Sequence, residues 1–144
     1  MIEAMVVVAL VAVLAALVAP SFIDQLARRR LEGVATDLST DLQFARMQAV
    51  SDRDPVRVVT EVSGSQYRLV RNNGTTLKTV VMPAGVTVTN AITISYDQLR
   101  GASNAAQITL SSTKTTAQLR VATNVMGRVS MCSPAGSLKG YTAC

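Results

Sequence analysis

Two hydrophobic patterns follow one another in the first third of the chain. Residues 4–23 form a run of 20 without a charged side chain. At a rise of about 1.5 Å per residue, a helix there would be about 30 Å long, comparable to the hydrocarbon core of a bilayer. Beyond this run, apolar residues recur every three or four positions, which predicts an amphipathic helix with one buried face. That face consists of Leu31, Val34, Leu38, Leu42, Ala45 and Ala49.

The two patterns are predicted to form one long helix over residues 1–52. Pro20 removes a backbone hydrogen bond and crowds the preceding turn, so a kink or local melting is expected there. Asp54 precedes Pro55, and a residue before proline is disfavoured in the α region, which ends the helix. Three polar residues lie off the buried face and are expected to meet solvent: Asp37, Asp41 and Gln48.

After Pro55 the sequence changes to short β-branched or alternating segments separated by Gly, Asn, Ser and Pro. This punctuation is typical of antiparallel strands. Strands following a helix indicate an α+β fold, with the long N-terminal helix packed on a C-terminal antiparallel β-sheet domain. We therefore divide the chain into residues 1–23, the apolar half of the helix; 24–54, its amphipathic half; and 55–144, a β-rich globular domain. The predicted strands are 56–62, 66–71, 75–82, 86–89, 91–96, 107–111, 117–122 and 125–131, with a polar loop at 100–106.

Charge is divided unevenly along the chain. Residues 1–54 hold five Lys/Arg and seven Asp/Glu, whereas residues 55–144 hold nine Lys/Arg and two Asp/Glu. The β-domain is therefore strongly basic, with a net charge of +7 within the total of +5. Such a domain can attract polyanions, and a solvated basic surface is the simpler interpretation.

Histidine is absent and there are two cysteines, Cys132 and Cys144. The chain thus lacks the commonest general base and metal ligand, and two isolated cysteines do not form a zinc site. In an oxidising compartment they would bridge each other, closing a loop worth about 3 kcal/mol in the chain-entropy model. Two free thiols in a cytosolic protein are the alternative.

The run at 4–23 is expected to be retained rather than cleaved as a signal peptide. The apolar region of a signal peptide is shorter, about 7–15 residues, and follows a basic segment. Glu3 lies at the edge of the run, where an ionised carboxylate is costly unless it reaches the membrane interface or is paired. It could therefore lie among headgroups, or pair with a positive group of another subunit, such as an α-amine.

Three arginines after the apolar run bear on its orientation: Arg28, Arg29 and Arg30. By the positive-inside rule they would place the β-domain in the cytoplasm. A basic segment upstream of Met1 would reverse that bias.

The N-terminal sequence from Met1 to Ala16, with Pro20 beyond it, resembles the class III signal N-terminus of type IV pilins and pseudopilins. The usual mature start there is Phe-Thr-Leu-Ile-Glu, and Met1-Ile2-Glu3 matches its last three residues with Met in place of Leu. The C-terminal sequence from Met126 to Gly136, which contains Gly127-Arg128 and Cys132-Ser133, resembles the tail of the GspH/FimT/FimU group. The terminal Cys144 agrees with it.

The resemblance implies a pilin-like fold and a bacterial inner-membrane precursor, single-pass, with a periplasmic C-terminal domain. A prepilin peptidase would cleave and N-methylate it, and other pilins or pseudopilins would be its partners in a filament. The apolar helix would then lie in the filament core, and Glu3 would meet the N-terminal amine of a neighbouring subunit. The resemblance implies that the N-terminus lies on the cytoplasmic side of the membrane. This orientation is opposite to the one that the three arginines after the apolar run would give.

Some FimT-type pilins bind DNA through a Gly-Arg-x-Arg pattern near the tail. Here the pattern reads Gly127-Arg128-Val129-Ser130, so its second arginine is a serine. The remaining candidate DNA-binding residues are Arg128, Lys139 and Arg120. Aromatic side chains for base stacking are scarce, with Tyr141 the one candidate in the tail.

The resemblance and the residue patterns together leave three functions to compare, and the resemblance implies the first of them. The first is a structural one: a minor type IV pilin that primes or tips the filament, with a type II secretion pseudopilin as its close variant. The second is DNA capture for uptake by the basic domain. The third, a membrane-anchored enzyme, is disfavoured, because the sequence offers no nucleophile–base pair, paired carboxylates or phosphate-binding glycine loop, and no cofactor or catalytic residue is predicted.

Overall fold

The computed structural model describes residues 2–62, 64–136 and 138–144, without the side chains of residues 15–20 and 135. One helix, α1, runs from Ile2 to Asp52. It ends where Arg53 adopts a positive φ of 51°, one residue before Asp54-Pro55. The strands that follow are β1 (Val56–Thr60), β2 (Gln66–Arg71), β3 (Thr76–Val81), β4 (Val86–Val88), β5 (Ile92–Tyr96), β6 (Ala106–Ser112), β7 (Gln118–Thr123) and β8 (Val129–Cys132).

The strands form two antiparallel four-stranded sheets, with the orders β3-β2-β1-β5 and β4-β6-β7-β8. The second half of α1 packs against strands of both sheets. The α+β architecture predicted from the sequence is therefore confirmed. The last strand begins four residues later than predicted, because residues 124–127 form a turn.

The predicted apolar face of α1 is confirmed. All six of its residues are buried in one core with the inward-facing residues of the strands, and Ala27 is the first buried side chain among those described on the helix. The described side chains of residues 2–14 are exposed. The helix thus has one half supported by the β-domain and another half that projects from it.

The position of Asp41 differs from the prediction. It was expected to face solvent, but it is buried, with 5% of its surface exposed. Its Oδ2 accepts a hydrogen bond from the Tyr67 hydroxyl at 2.7 Å, and its Oδ1 accepts one from Lys78 Nζ at 2.6 Å. Burial and this bond raise the pKa of Tyr67 well above its usual value. Asp41 therefore joins α1 to β2 and β3, because its partners satisfy a carboxylate that would otherwise be costly to bury. Asp37 is exposed as expected.

Two other predictions on the helix have different outcomes. The helical assignment continues through Pro20, so the helix does not melt there, but its side chain lies outside those described and the kink stays a prediction. No helical segment within the described residues is both long and apolar enough to cross a membrane.

The C-terminal loop is closed by a disulfide between Cys132 and Cys144, as predicted for an oxidising compartment. The enclosed segment also packs: Leu138 is buried in the core, and its backbone N–H donates to Ser133 Oγ at 3.2 Å. The Ser133 N–H donates to the Thr142 carbonyl at 2.9 Å, so both ends of the loop lie side by side. The bond therefore fixes the chain end against β8.

Candidate functional site: an arginine-lined groove

An open groove of about 650 Å³ lies between the end of α1 and two neighbouring turns of the β-domain. We call it the arginine groove, because three of its lining residues are arginines. It is lined by Gln43, Arg46, Met47, Val50, Ser51, Arg100, Gly127, Arg128 and Val129.

The helix contributes one wall of the groove. Arg46 and Val50 are one turn apart and lie next to the buried positions Ala45 and Ala49, so they border the core rather than enter it. Arg46 Nε donates to the Gly101 carbonyl at 3.0 Å. This bond holds the guanidinium against the β-domain and uses one of its five N–H donors.

A tight turn over residues 124–127 positions Arg128 in the opposite wall. Asn124 Oδ1 accepts from the backbone N–H groups of Met126 at 3.1 Å and Arg128 at 2.9 Å. The Asn124 carbonyl accepts from the Gly127 N–H at 2.8 Å and from Ser103 Oγ, also at 2.8 Å. An asparagine side chain that bonds the backbone ahead of it is a common device for closing such turns.

Gly127 allows this turn to approach the rest of the groove. Its φ is +72°, and a Cβ there would lie less than 3.0 Å from the Gly101 carbonyl oxygen, which is closer than real Cβ atoms come. The same Cβ would lie 3.0 Å from Arg46 Nε. A glycine is therefore required for both backbone conformation and space, and the next residue, Arg128, lines the same groove as Arg46.

The turn after β5 holds the third arginine. Asp97 Oδ2 accepts from the backbone N–H groups of Leu99 at 3.1 Å and Arg100 at 3.3 Å, and the Asp97 carbonyl accepts from Gly101 at 3.0 Å. Asp97 thus uses its carboxylate on its own turn. Arg100, which belongs to this turn, lines the groove.

The groove is cationic and partly apolar. None of its nine described lining residues is acidic, and Met47, Val50 and Val129 contribute apolar surface. Behind Arg46, the hydroxyl of the buried Tyr96 has no hydrogen-bond partner among the described residues. Burial raises the pKa of Tyr96 to about 12, although the charge of Arg46 opposes the shift. The three guanidinium groups suit the groove to an anionic ligand.

The structure separates the three residues that the tail sequence suggested. Arg128 is exposed and lines the groove, whereas Arg120 lies on the middle strand β7 with its Nε buried and unpartnered among the described residues. Lys139 is exposed in the disulfide loop.

In that loop, burial and the nearby Glu32 carboxylate raise the pKa of Tyr141, so the loop faces α1 near residue 32. Arg46 is roughly 14 residues, or about 21 Å, further along the helix.

Arg46 and Arg100 were not predicted as site residues from the sequence. Arg46 interrupts neither pattern of the helix, and Arg100 lies in a loop interpreted as polar only. The hydrogen bond that brings the two elements together joins Arg46 to Gly101, 55 residues apart, and no spacing rule reports such a contact. Of the other predicted residues, Glu3 lies exposed in the first turn of α1. Within the described residues, no His, Cys, Asp or Glu side chains group as metal ligands would.

Comparisons with known proteins relate the chain to one family and one fold. Residues 34–127, more than half of the chain, match the family described as type II transport protein GspH. Two crystal forms of the type IV minor pilin FimU from Pseudomonas aeruginosa PAO1 have a similar fold. One has a TM-score of 0.61 at 19% identity over 74% of this chain and 94% of that chain. The other has a TM-score of 0.58 at 17% identity over 72% and 97%. A comparison with curated protein sequences gave no significant match.

Proposed function

This chain belongs to the GspH family of type II transport proteins. We propose that it serves as a minor type IV pilin in pilus assembly or priming, a role supported by its similar fold to the minor pilin FimU. The coarser role, a structural subunit of the pilin or pseudopilin kind, follows from family and fold together. The observation that carries the proposal is the helix. Its described first 13 residues expose apolar side chains almost throughout, whereas the second half buries one apolar face against the β-domain. Such a surface calls for apolar partners.

In the proposed life cycle the apolar half of α1 has two successive environments. Residues 1–23 would anchor the precursor in the bacterial inner membrane, with the β-domain in the periplasm, and then enter the filament core among other pilins. Residues 24–54 would carry the β-domain of residues 55–144 on the filament surface. Support for the membrane stage comes from the uncharged run at 4–23 and from the disulfide, which suits an oxidising compartment. Processing and N-methylation by a prepilin peptidase belong to the same proposal.

A pseudopilin of a type II secretion system is the alternative structural role, and the family description favours it. Cell fractionation in the native host separates the two. A minor pilin is recovered in sheared pili and its deletion reduces piliation. A pseudopilin is absent from sheared pili and its deletion blocks secretion of exoproteins.

Glu3 is predicted to act in assembly rather than in membrane insertion. We expect Glu3→Gln to leave the membrane level of the subunit unchanged and to reduce its incorporation into filaments several-fold. The reason is that glutamine carries no charge, so the proposed ion pair with a neighbouring α-amine among the apolar helices is lost. Immunoblots of membrane and filament fractions measure this. Asp37→Asn, at an exposed acid elsewhere on α1, is the control and should incorporate normally. Equal incorporation of both variants would exclude the pairing role.

DNA capture is the second candidate function. It is favoured by the presence of Arg46, Arg100 and Arg128 in one groove, none of whose nine described lining residues is acidic. In this case the detergent-solubilised chain should retard duplex DNA at low salt, and Arg128→Ala should weaken binding by about threefold to tenfold, because one phosphate contact is lost. Lys139→Ala, outside the groove, should have a smaller effect. A mobility shift that Arg128→Ala does not change would exclude the groove as a DNA site.

A further inference from the structure

The arginine groove combines a cationic surface with an exposed apolar one. Nucleic-acid binding requires the cationic surface but not the apolar one. Its guanidinium groups lie beside aliphatic side chains of substantial exposure, 65% for Met47 and 42% for Val50. The turns that form the groove carry further exposed apolar residues: Leu99 before Arg100, and Val125 and Met126 before Gly127. Large exposed apolar patches on a folded domain mark interaction sites.

We propose that the arginine groove binds an acidic segment of a neighbouring protein subunit, whose carboxylate meets the guanidinium groups and whose apolar side chain packs on Met47 and Val50. The ligand is thus a protein segment that combines Asp or Glu with a large aliphatic residue. The proposal rests on the proposed filament role only for the source of this segment.

Charge complementarity argues for a carboxylate. Arginine presents a planar fork that pairs with a carboxylate through two parallel hydrogen bonds. Arg46 is oriented by its bond to Gly101, and Arg128 is positioned by the Asn124 turn. The groove is therefore largely preformed, which lowers the entropy lost on binding.

The composition of the groove argues for a protein partner. Methionine and arginine are enriched at protein interfaces, and methionine adapts its shape to different partners. Single-stranded nucleic acid instead needs aromatic rings on which bases stack, and none of the nine described lining residues is aromatic. Double-stranded DNA would use the arginines and leave the apolar surface without a role.

Direct binding of defined probes tests the proposal. The full chain in detergent micelles would be titrated with a fluorescent eight-residue peptide of glutamate and leucine, its glutamine–leucine analogue and an eight-nucleotide oligothymidylate. We expect the glutamate peptide to bind at least tenfold more tightly than the glutamine peptide. Arg128→Gln should weaken that binding at least fivefold and Met47→Ser about threefold. Lys139→Gln, an exposed cation in the disulfide loop, is the matched control and should have no effect.

Two results would overturn the proposal. Equal affinity for the glutamate and glutamine peptides would show that the groove does not recognise carboxylates. Tighter binding of oligothymidylate than of the glutamate peptide, lost on Arg128→Gln but retained in Met47→Ser, would identify a nucleic-acid site instead.

Fractionation of the native host distinguishes this inference from the proposed function. If the chain is absent from sheared pili but binds the glutamate peptide through Arg128, the minor-pilin role fails and the groove inference stands. If the chain enters pili but shows no preference for the glutamate peptide, the groove inference fails and the filament role stands.

Discussion

Replacing Gly127 by alanine is expected to destabilise the protein by about 2–5 kcal/mol and to disrupt the arginine groove. The added Cβ would overlap the Gly101 carbonyl oxygen and crowd Arg46, and it would occupy a backbone conformation with a φ of +72°. The left-handed conformation alone costs about 1–2 kcal/mol for an L-residue, and forced repacking adds about 1–3 kcal/mol. Chemical denaturation followed by circular dichroism measures the loss in the free energy of unfolding.

Gly74→Ala is the matched control for this substitution. Gly74 has a φ of +86°, and a Cβ there would have no atom within 4 Å. Its replacement should therefore cost only the conformational part, about 1–2 kcal/mol. If the two variants lose the same stability, the close approach of Gly127 to Gly101 is not what restricts this position.

Removal of the C-terminal disulfide is expected to cost about 3 kcal/mol. In the chain-entropy model, the bond between Cys132 and Cys144 restricts the unfolded chain through a short loop, for which about 3 kcal/mol is typical. The double variant Cys132→Ser, Cys144→Ser should therefore unfold at lower denaturant concentration, with part of the loss arising from weaker docking of Leu138. Equilibrium unfolding with and without a reductant measures the effect.

The reductant provides an internal control for this experiment. The parent chain should lose stability on reduction to about the level of the double serine variant, whereas that variant should be insensitive to reductant. Without reductant, alkylation of the unfolded parent chain should leave its mass unchanged. The prediction would be contradicted if two alkyl groups were added under those conditions, or if reduction left the free energy of unfolding of the parent chain unchanged.

The burial of Asp41 shows where periodicity alone gives the wrong answer. Asp41 lies next to Leu42 of the apolar face, and a carboxylate at such a border position is expected to turn outward. It is buried because Tyr67 and Lys78, 26 and 37 residues away, supply two hydrogen bonds. Helical spacing describes one element at a time and does not indicate which hydrogen-bond donors a facing strand provides.

The sequence by itself determined the elements of this protein. Spacings of three or four residues specified the buried face of α1, because this signal is local in the chain. Alternation with turn residues, also a local signal, specified seven of the eight predicted strands to within two residues of their observed bounds. The Gly127-Arg128 motif, the cysteine pair and the apolar run that begins beside Glu3 were also sufficient to suggest the family.

Only the tertiary structure decided how the cations are grouped. The sequence predicted Arg128, Lys139 and Arg120 together as candidate DNA-binding residues. In the fold, the turn at Gly127 carries Arg128 to Arg46 and Arg100, while the disulfide loop carries Lys139 toward the other end of the packed helix. The physical reason is that a binding surface consists of contacts between residues far apart in the chain, and these contacts exist only after the helix and both sheets have packed together.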